Sequence, residues 1–173
     1  MRKILLLVLA VTVFVFGGCS SGKNAKKNEV PIIPQSYTAD LFIEYGNKTS
    51  QAKYVQRSLM DCEIEFVQPN TVKGLKISYN GTKCTLSFGV LSFNADLTSL
   101  PESNFGKKMI EAFKVAAEDT TIQKSRVGDT WKYNGETSGE KFVIIQNAKT
   151  GFFESFEVPA YDLKIELKNI TVQ

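Results

Sequence analysis

The sequence predicts an α+β domain: a curved antiparallel β-sheet, an unclosed half-barrel, with one main helix packed on its concave face. Three observations carry this. Apolar and polar residues alternate with period two through most of the chain after residue 36. Turn residues interrupt those runs at short intervals, as in a meander of hairpins. A single segment between two groups of strands shows helical spacing instead, which is an α+β order.

The elements follow in order. Tyr37 to Tyr45 alternates as a strand, and Gly46-Asn47-Lys48 makes a turn. The next run passes through Tyr54, Val55 and Leu59. Cys62, Ile64 and Phe66 alternate with Asp61, Glu63 and Glu65, the pattern of a half-buried strand. Leu75, Ile77 and Tyr79 then alternate up to Asn80-Gly81, with Cys84, Leu86 and Phe88 beyond it. Asn-Gly between alternating runs is the strongest short hairpin signal, because both residues tolerate positive φ. A turn on Asn80-Gly81 pairs Ile77 with Cys84 and Leu75 with Leu86, all on one face. Val90, Leu91 and Phe93 extend the sheet.

Phe105, Met109, Ile110, Phe113 and Ala116-Ala117 recur at helical spacing, with Ser103 or Asn104 as N-cap. This helix is expected to end near Glu118. Strands resume at Trp131-Lys132-Tyr133, where Asn134-Gly135 predicts a second turn of the same chemistry. Phe142 to Ile145 and Phe152 to Phe156 follow. Leu163, Ile165 and Leu167 alternate in the last strand, after a break at Pro159.

The amino terminus has a different character. Arg2 and Lys3 precede an apolar run from Ile4 to Phe16, then Gly17, Gly18 and Cys19. The run is shorter than the roughly 20 residues a spanning helix needs. It has the layout of a signal peptide. Phe16-Gly17-Gly18-Cys19 resembles the lipobox of bacterial lipoproteins, with Phe16 in place of the usual aliphatic residue. That resemblance implies diacylglycerol on the Cys19 sulfur and cleavage between Gly18 and Cys19. The expected organisation is a signal peptide over 1–18, a lipidated cysteine and flexible tether over 19–36, and one β-rich domain over 37–173. The address implied is the cell envelope. The chain would be lipid-anchored on the outer face of the cell membrane, or on the outer membrane where the host has two.

Composition removes several chemistries. The chain has 21 Lys and Arg, 18 Asp and Glu, and no histidine. Without the first 18 residues the formal charge falls to +1, and from Tyr37 onward 16 basic residues face 17 acidic ones. A near-neutral domain has no field for phosphate backbones, so nucleic acid is not an expected partner. The absence of histidine excludes His-based triads, Cys–His dyads and imidazole metal sites. Cys62 and Cys84 are too few for structural zinc. An exported domain invites a disulfide between them, but they are expected two strands apart, which favours two buried free thiols over the bond. Asp61, Glu63 and Glu65 are expected on a solvated face. No catalytic residue, metal or cofactor is expected.

The strand order, the hairpin region from Pro69 to Phe88 and the run of hairpins from Trp131 to Ile170 are similar to the LolA/LolB-like carrier and receptor proteins of bacterial lipoprotein sorting. The resemblance spans residues 37 to 172. It implies an unclosed β-barrel capped by helices, and a non-enzymatic role in binding a lipid acyl chain or a lipoprotein. The candidate lining of a groove between sheet and helix is Phe66, Ile77, Leu86, Met109, Phe113, Trp131 and Phe153. The alternative is an envelope protein–protein interaction lipoprotein whose groove is filled by its own side chains.

Overall fold

The computed structural model describes residues 29–100 and 104–173. The expected signal peptide, the expected cleavage site between Gly18 and Cys19, and most of the expected tether lie outside the described residues.

Among the described residues eleven antiparallel strands form one sheet. They are β1 (Tyr37–Tyr45), β2 (Lys48–Ser58), β3 (Asp61–Gln68), β4 (Lys76–Asn80), β5 (Lys83–Phe88), β6 (Leu91–Asp96), β7 (Gln123–Val127), β8 (Thr130–Thr137), β9 (Glu140–Asn147), β10 (Phe153–Val158) and β11 (Leu163–Val172). Their spatial order is β6-β5-β4-β3-β2-β1-β11-β10-β9-β8-β7. Each strand pairs with its sequence neighbour, except that β1 and β11 meet at the centre. β6 and β7 are the two edges, so the sheet is not closed. The connection between those edges carries the helix α1 (Phe105–Glu118) across the concave face. The expected curved sheet with one main helix is therefore what the chain forms.

The half-buried alternation does what its pattern predicts. In β3, Cys62, Ile64 and Phe66 are buried while Asp61, Glu63 and Glu65 face outward. β1, β9 and β11 follow the same rule, and their inward residues Leu41, Ile144 and Ile165 are fully covered. α1 begins at Asn104, whose side chain accepts a hydrogen bond from the Lys107 N–H at 2.9 Å. This satisfies one of the donors that a helix start leaves unpaired.

Two turns differ from expectation. The β4–β5 turn falls on Gly81-Thr82, one residue later than Asn80-Gly81, with positive φ at Gly81 alone. Tyr79 consequently pairs with Cys84 and Ile77 with Leu86. Moving the turn by one residue moves each partner by two, so every side chain keeps its face. Asn134-Gly135 is not a turn at all. β8 runs straight through it, and the hairpin closes at Ser138-Gly139. Gly135 is needed for a different reason: a Cβ there would run into the Phe142 ring and lie 2.9 Å from Ile122.

The chain ahead of β1 is held against the domain from Pro31 to Gln35. Gln146, fully buried, donates to the carbonyls of Pro31 (3.2 Å) and Gly151 (2.8 Å) and accepts from the Tyr133 hydroxyl. Gln56 donates to the Gln35 carbonyl at 3.2 Å and accepts from Tyr54 at 2.8 Å. Two inward glutamines thus satisfy a strap of backbone whose carbonyls have no strand partner.

Candidate functional site

The seven candidate groove residues all lie on the inner side of the sheet or on α1, and they divide into two groups. Met109 and Phe113 on α1 and Phe153 on β10 are sealed, as are Ile77, Phe66 and Trp131. The Phe113 ring lies 4.6 Å from that of Phe153 and 6.0 Å from that of Phe156. Phe66 meets Phe105 edge to face at 6.0 Å. At the start of α1, Gly106 lies so close to Tyr79 that a Cβ would collide with the Tyr79 hydroxyl. The Tyr79 hydroxyl also donates to Asn104 Oδ1 at 2.9 Å, which ties β4 to the helix cap. Beneath α1, then, side chains of the protein itself fill the groove. Two surface depressions, of about 580 and 590 Å³, lie elsewhere, on the outer face near Asn147 and Glu166 and beside the end of α1.

This covered half is buried. Burial pushes the Cys62 thiol up to about 12 and raises the phenols of Tyr54 and Tyr79. A thiol in that range stays protonated at neutral pH and is a poor nucleophile. Cys62 and Cys84 are both buried and free, with Tyr79 between them in the cross-strand row. The two residues stand two strands apart, as the sequence implies.

Leu86 belongs to the second group. The row Tyr54, Ile64, Ile77, Leu86 and Phe93 crosses five strands on one face. Exposure is 0% at Ile64 and 6% at Ile77, intermediate at Leu86, and 64% at Phe93. Phe88 and Leu91 pair beside it on the same face and are exposed. α1 reaches β3 and β4 through Phe105 and Gly106; on β5 Cys84 is still buried, while Phe88 on β5 and Leu91 and Phe93 on β6 are exposed. The inner face therefore continues past the helix as an open apolar wing of Leu86, Phe88, Leu91 and Phe93. No charged side chain interrupts these four positions; Lys83 and Asp96 pair at the far end of the hairpin.

The acidic cluster behaves as expected of a solvated face. Asp61 pairs with Arg57 at 3.2 Å, and Lys76 sits between Glu63 (3.5 Å) and Glu65 (3.1 Å). These carboxylates lie on the outer face and converge on no cleft. Among the described residues no group of His, Cys, Asp or Glu is arranged to hold a metal ion.

The sequence did not single out Phe88, Leu91 and Phe93 as a surface. Nor did it indicate that Lys107 and Lys108 would be buried in the first turns of α1, with Lys108 Nζ 5.5 Å from the Tyr161 ring. Aliphatic stems let lysines cover apolar surface in this way.

No protein-family model matches the chain, and no curated protein matches it. Among solved structures it is similar to an uncharacterized conserved protein from Thermus thermophilus. The TM-score is 0.51 at 9% identity, over 80% of this chain and 79% of that one, which is a likeness of fold. A LolA superfamily protein from Nitrosomonas europaea overlaps more loosely, with a TM-score of 0.43 at 9% identity over 86% of this chain and 90% of that one. A likeness that loose says nothing further about this chain.

Proposed function

We propose that this is a lipid-anchored envelope lipoprotein, without catalytic activity, that binds a lipid acyl chain on the open wing of its inner face. The observation that carries the reading is the row from Tyr54 to Phe93, whose apolar character persists after the helix ceases to cover it. Bare hydrocarbon on the two neighbouring strands β5 and β6, with no charge within it, suits a chain of methylenes, each worth about 0.8 kcal/mol when buried. An anchor on Cys19, as the lipobox resemblance implies, would bring such chains within reach. The sealed groove beneath α1 is not the binding surface in this reading. Phe66, Ile77, Met109, Phe113, Trp131 and Phe153 are side chains of the covered part, and Leu86 marks where the cover ends.

The test is mass spectrometry of lipid retained by the full chain after mild detergent extraction from its own membranes. Wild type should carry acyl lipid, and Leu86→Asp and Phe88→Asp should lose it while unfolding at the wild-type midpoint. A wild-type protein that comes away bare would end this reading, as would unchanged lipid on both variants.

A second reading has its own support. A groove filled by the protein's own side chains suits an envelope interaction protein that holds no small molecule. Anchored copies of either kind would be released from membranes by Cys19→Ser, which separates the address from the choice of ligand.

A further inference from the structure

The two edges of the sheet are built differently. On β7 the inward positions are Lys124 and Arg126, whose cations lie 5.3 Å from the Tyr133 ring and 5.9 Å from the Trp131 ring. Inward-pointing charge on an edge strand is a standard block against adding another strand. β6 has no such block. Its sequence, Leu91-Ser92-Phe93-Asn94-Ala95-Asp96, contains no Lys, Arg or Pro. Among the described residues it has β5 on one side and no strand on the other.

The ladder phase of β6 is fixed by the Leu97 N–H bond to the Thr82 carbonyl, 2.6 Å, in register with the β5–β6 pairs. Backbone groups of Leu91, Phe93 and Ala95 therefore point to β5, and those of Ser92, Asn94 and Asp96 point outward. The inward side chains are Leu91, Phe93 and Ala95, and the outward ones are Ser92, Asn94 and Asp96.

This pattern is self-complementary about one residue. We propose that β6 pairs antiparallel with β6 of a second copy, with Phe93 on the two-fold axis. In that register Ser92 faces Asn94 of the second copy, and each such pair exchanges two backbone hydrogen bonds, using the outward groups that have no strand partner. Phe93 meets its own copy in a close, non-hydrogen-bonded position, and Leu91 meets Ala95 of the second copy. No two charges of like sign face each other. Side chains keep their faces, so the two apolar wings join into one floor. Phe88, Val90, Leu91 and Phe93 are 51%, 100%, 72% and 64% exposed. At ~150–250 Å² per aromatic side chain, the two rings alone leave on the order of 200 Å² per copy uncovered. The in-plane pairing covers the backbone edge of β6, while these side chains stay on the open face beside their counterparts across the seam. The pairing lies in the plane of the sheet and goes beyond the acyl-binding reading: either holds without the other.

The test is cysteine cross-linking of the full chain in its own membranes. Phe93→Cys, on the axis, should give a disulfide-linked species of twice the chain mass on mild oxidation. Val127→Cys, on the guarded edge, should remain a single chain, as should wild type, whose Cys62 and Cys84 are buried. Because Phe93→Cys removes apolar contact, the Ser92→Cys/Asn94→Cys double variant repeats the test with Phe93 intact. Sedimentation in detergent should give two chains for wild type and one for Phe93→Lys, with the thermal midpoint unchanged. A single-chain mass for wild type overturns the proposal. Cross-linking no greater at both β6 variants than at Val127→Cys overturns it as well, including where β6 is covered by a different protein.

Discussion

Gly106→Ala tests the seating of the helix, on which the whole inner face depends. At an exposed site near a helix start this change would stabilise the chain by up to ~1 kcal/mol, since alanine is the better helix former. The structure predicts the opposite sign. A Cβ at 106 would collide with the hydroxyl of Tyr79 and lie 2.8 and 2.9 Å from its Cζ and Cε2 atoms. Tyr79 is 1% exposed and donates to Asn104, the residue that caps the same helix, so its ring has nowhere to turn. Relief requires lifting the start of α1 or breaking the Tyr79–Asn104 bond. Overpacking of this kind costs about 1–3 kcal/mol, and a lost cap about 1 more. Set against the propensity gain, a net loss of about 1–3 kcal/mol is expected. For a domain of this size that is a fall of roughly 3–9 °C in the thermal midpoint. Calorimetry or circular dichroism reads it. Combining the change with Tyr79→Leu should recover part of the loss, the signature of direct coupling. A midpoint for Gly106→Ala equal to or above wild type would refute the seating of α1 against β4.

Phe113→Ala should cost about 3–5 kcal/mol in denaturant unfolding, because its ring packs on both Phe153 and Phe156; a loss below about 1 kcal/mol would mean that α1 is not part of the core. Gln146→Leu leaves the Tyr133 hydroxyl without its acceptor and the Pro31 and Gly151 carbonyls without their donor, so a loss of about 1–3 kcal/mol and faster proteolysis ahead of Tyr37 are expected. Glu166, bonded to Lys168 at 2.8 Å and Lys164 at 2.9 Å, is held at about 2, below its ordinary 4.5. Its contribution, no more than about 1 kcal/mol on this solvated face, is present above pH 4.5 and lost as pH falls toward 2. The stability gap between wild type and Glu166→Gln should close over that window, and a gap that persists at about pH 2 contradicts the assignment. Burial raises both Cys62 and Cys84, so neither thiol should react with a disulfide reagent at about pH 8 until the chain is unfolded; rapid native labelling would show the inner face to be open.

Strand alternation and helical spacing were legible because each is a direct image of one-sided burial. The helix over 105–118 and the faces of β3, β4 and β5 all follow from that, while the cap, open in the sequence between Ser103 and Asn104, falls on Asn104. The Asn-Gly signal was less faithful, for a physical reason. Glycine serves a turn through its positive φ and serves a core through its missing side chain, and the dipeptide does not say which. At Gly81 it is the turn, and at Gly135 the close approach of Phe142. β7 was not legible at all. Its inward positions are Lys124 and Arg126, which lie over aromatic rings, so it carries no apolar alternation to detect. Of the candidate groove, the membership of all seven residues on the inner side could be read from the sequence. The boundary between covered and open parts could not, because it depends on where a helix of fixed length comes to rest.

That boundary has a geometric cause. Eleven strands at ~4.8 Å spacing span about 50 Å along the arc of the sheet. α1 has 14 residues, about 21 Å at ~1.5 Å per residue. A single helix of that length cannot roof the whole inner face, whatever its sequence. Some strands must lie beyond it, and their inward positions are then free to be polar at no cost to the core. On the β7 side they are polar, with Lys124 and Arg126 where a buried strand would carry apolar residues. On the β6 side the same freedom is not taken: Leu86, Phe88, Leu91 and Phe93 keep the apolar pattern of the covered strands. Packing within one chain explains the first edge and leaves the second unaccounted for. Exposed apolar area raises the free energy of the isolated domain in water by ~25 cal/mol per Å², so a surface of this kind is lowest in energy when something beyond the described residues covers it.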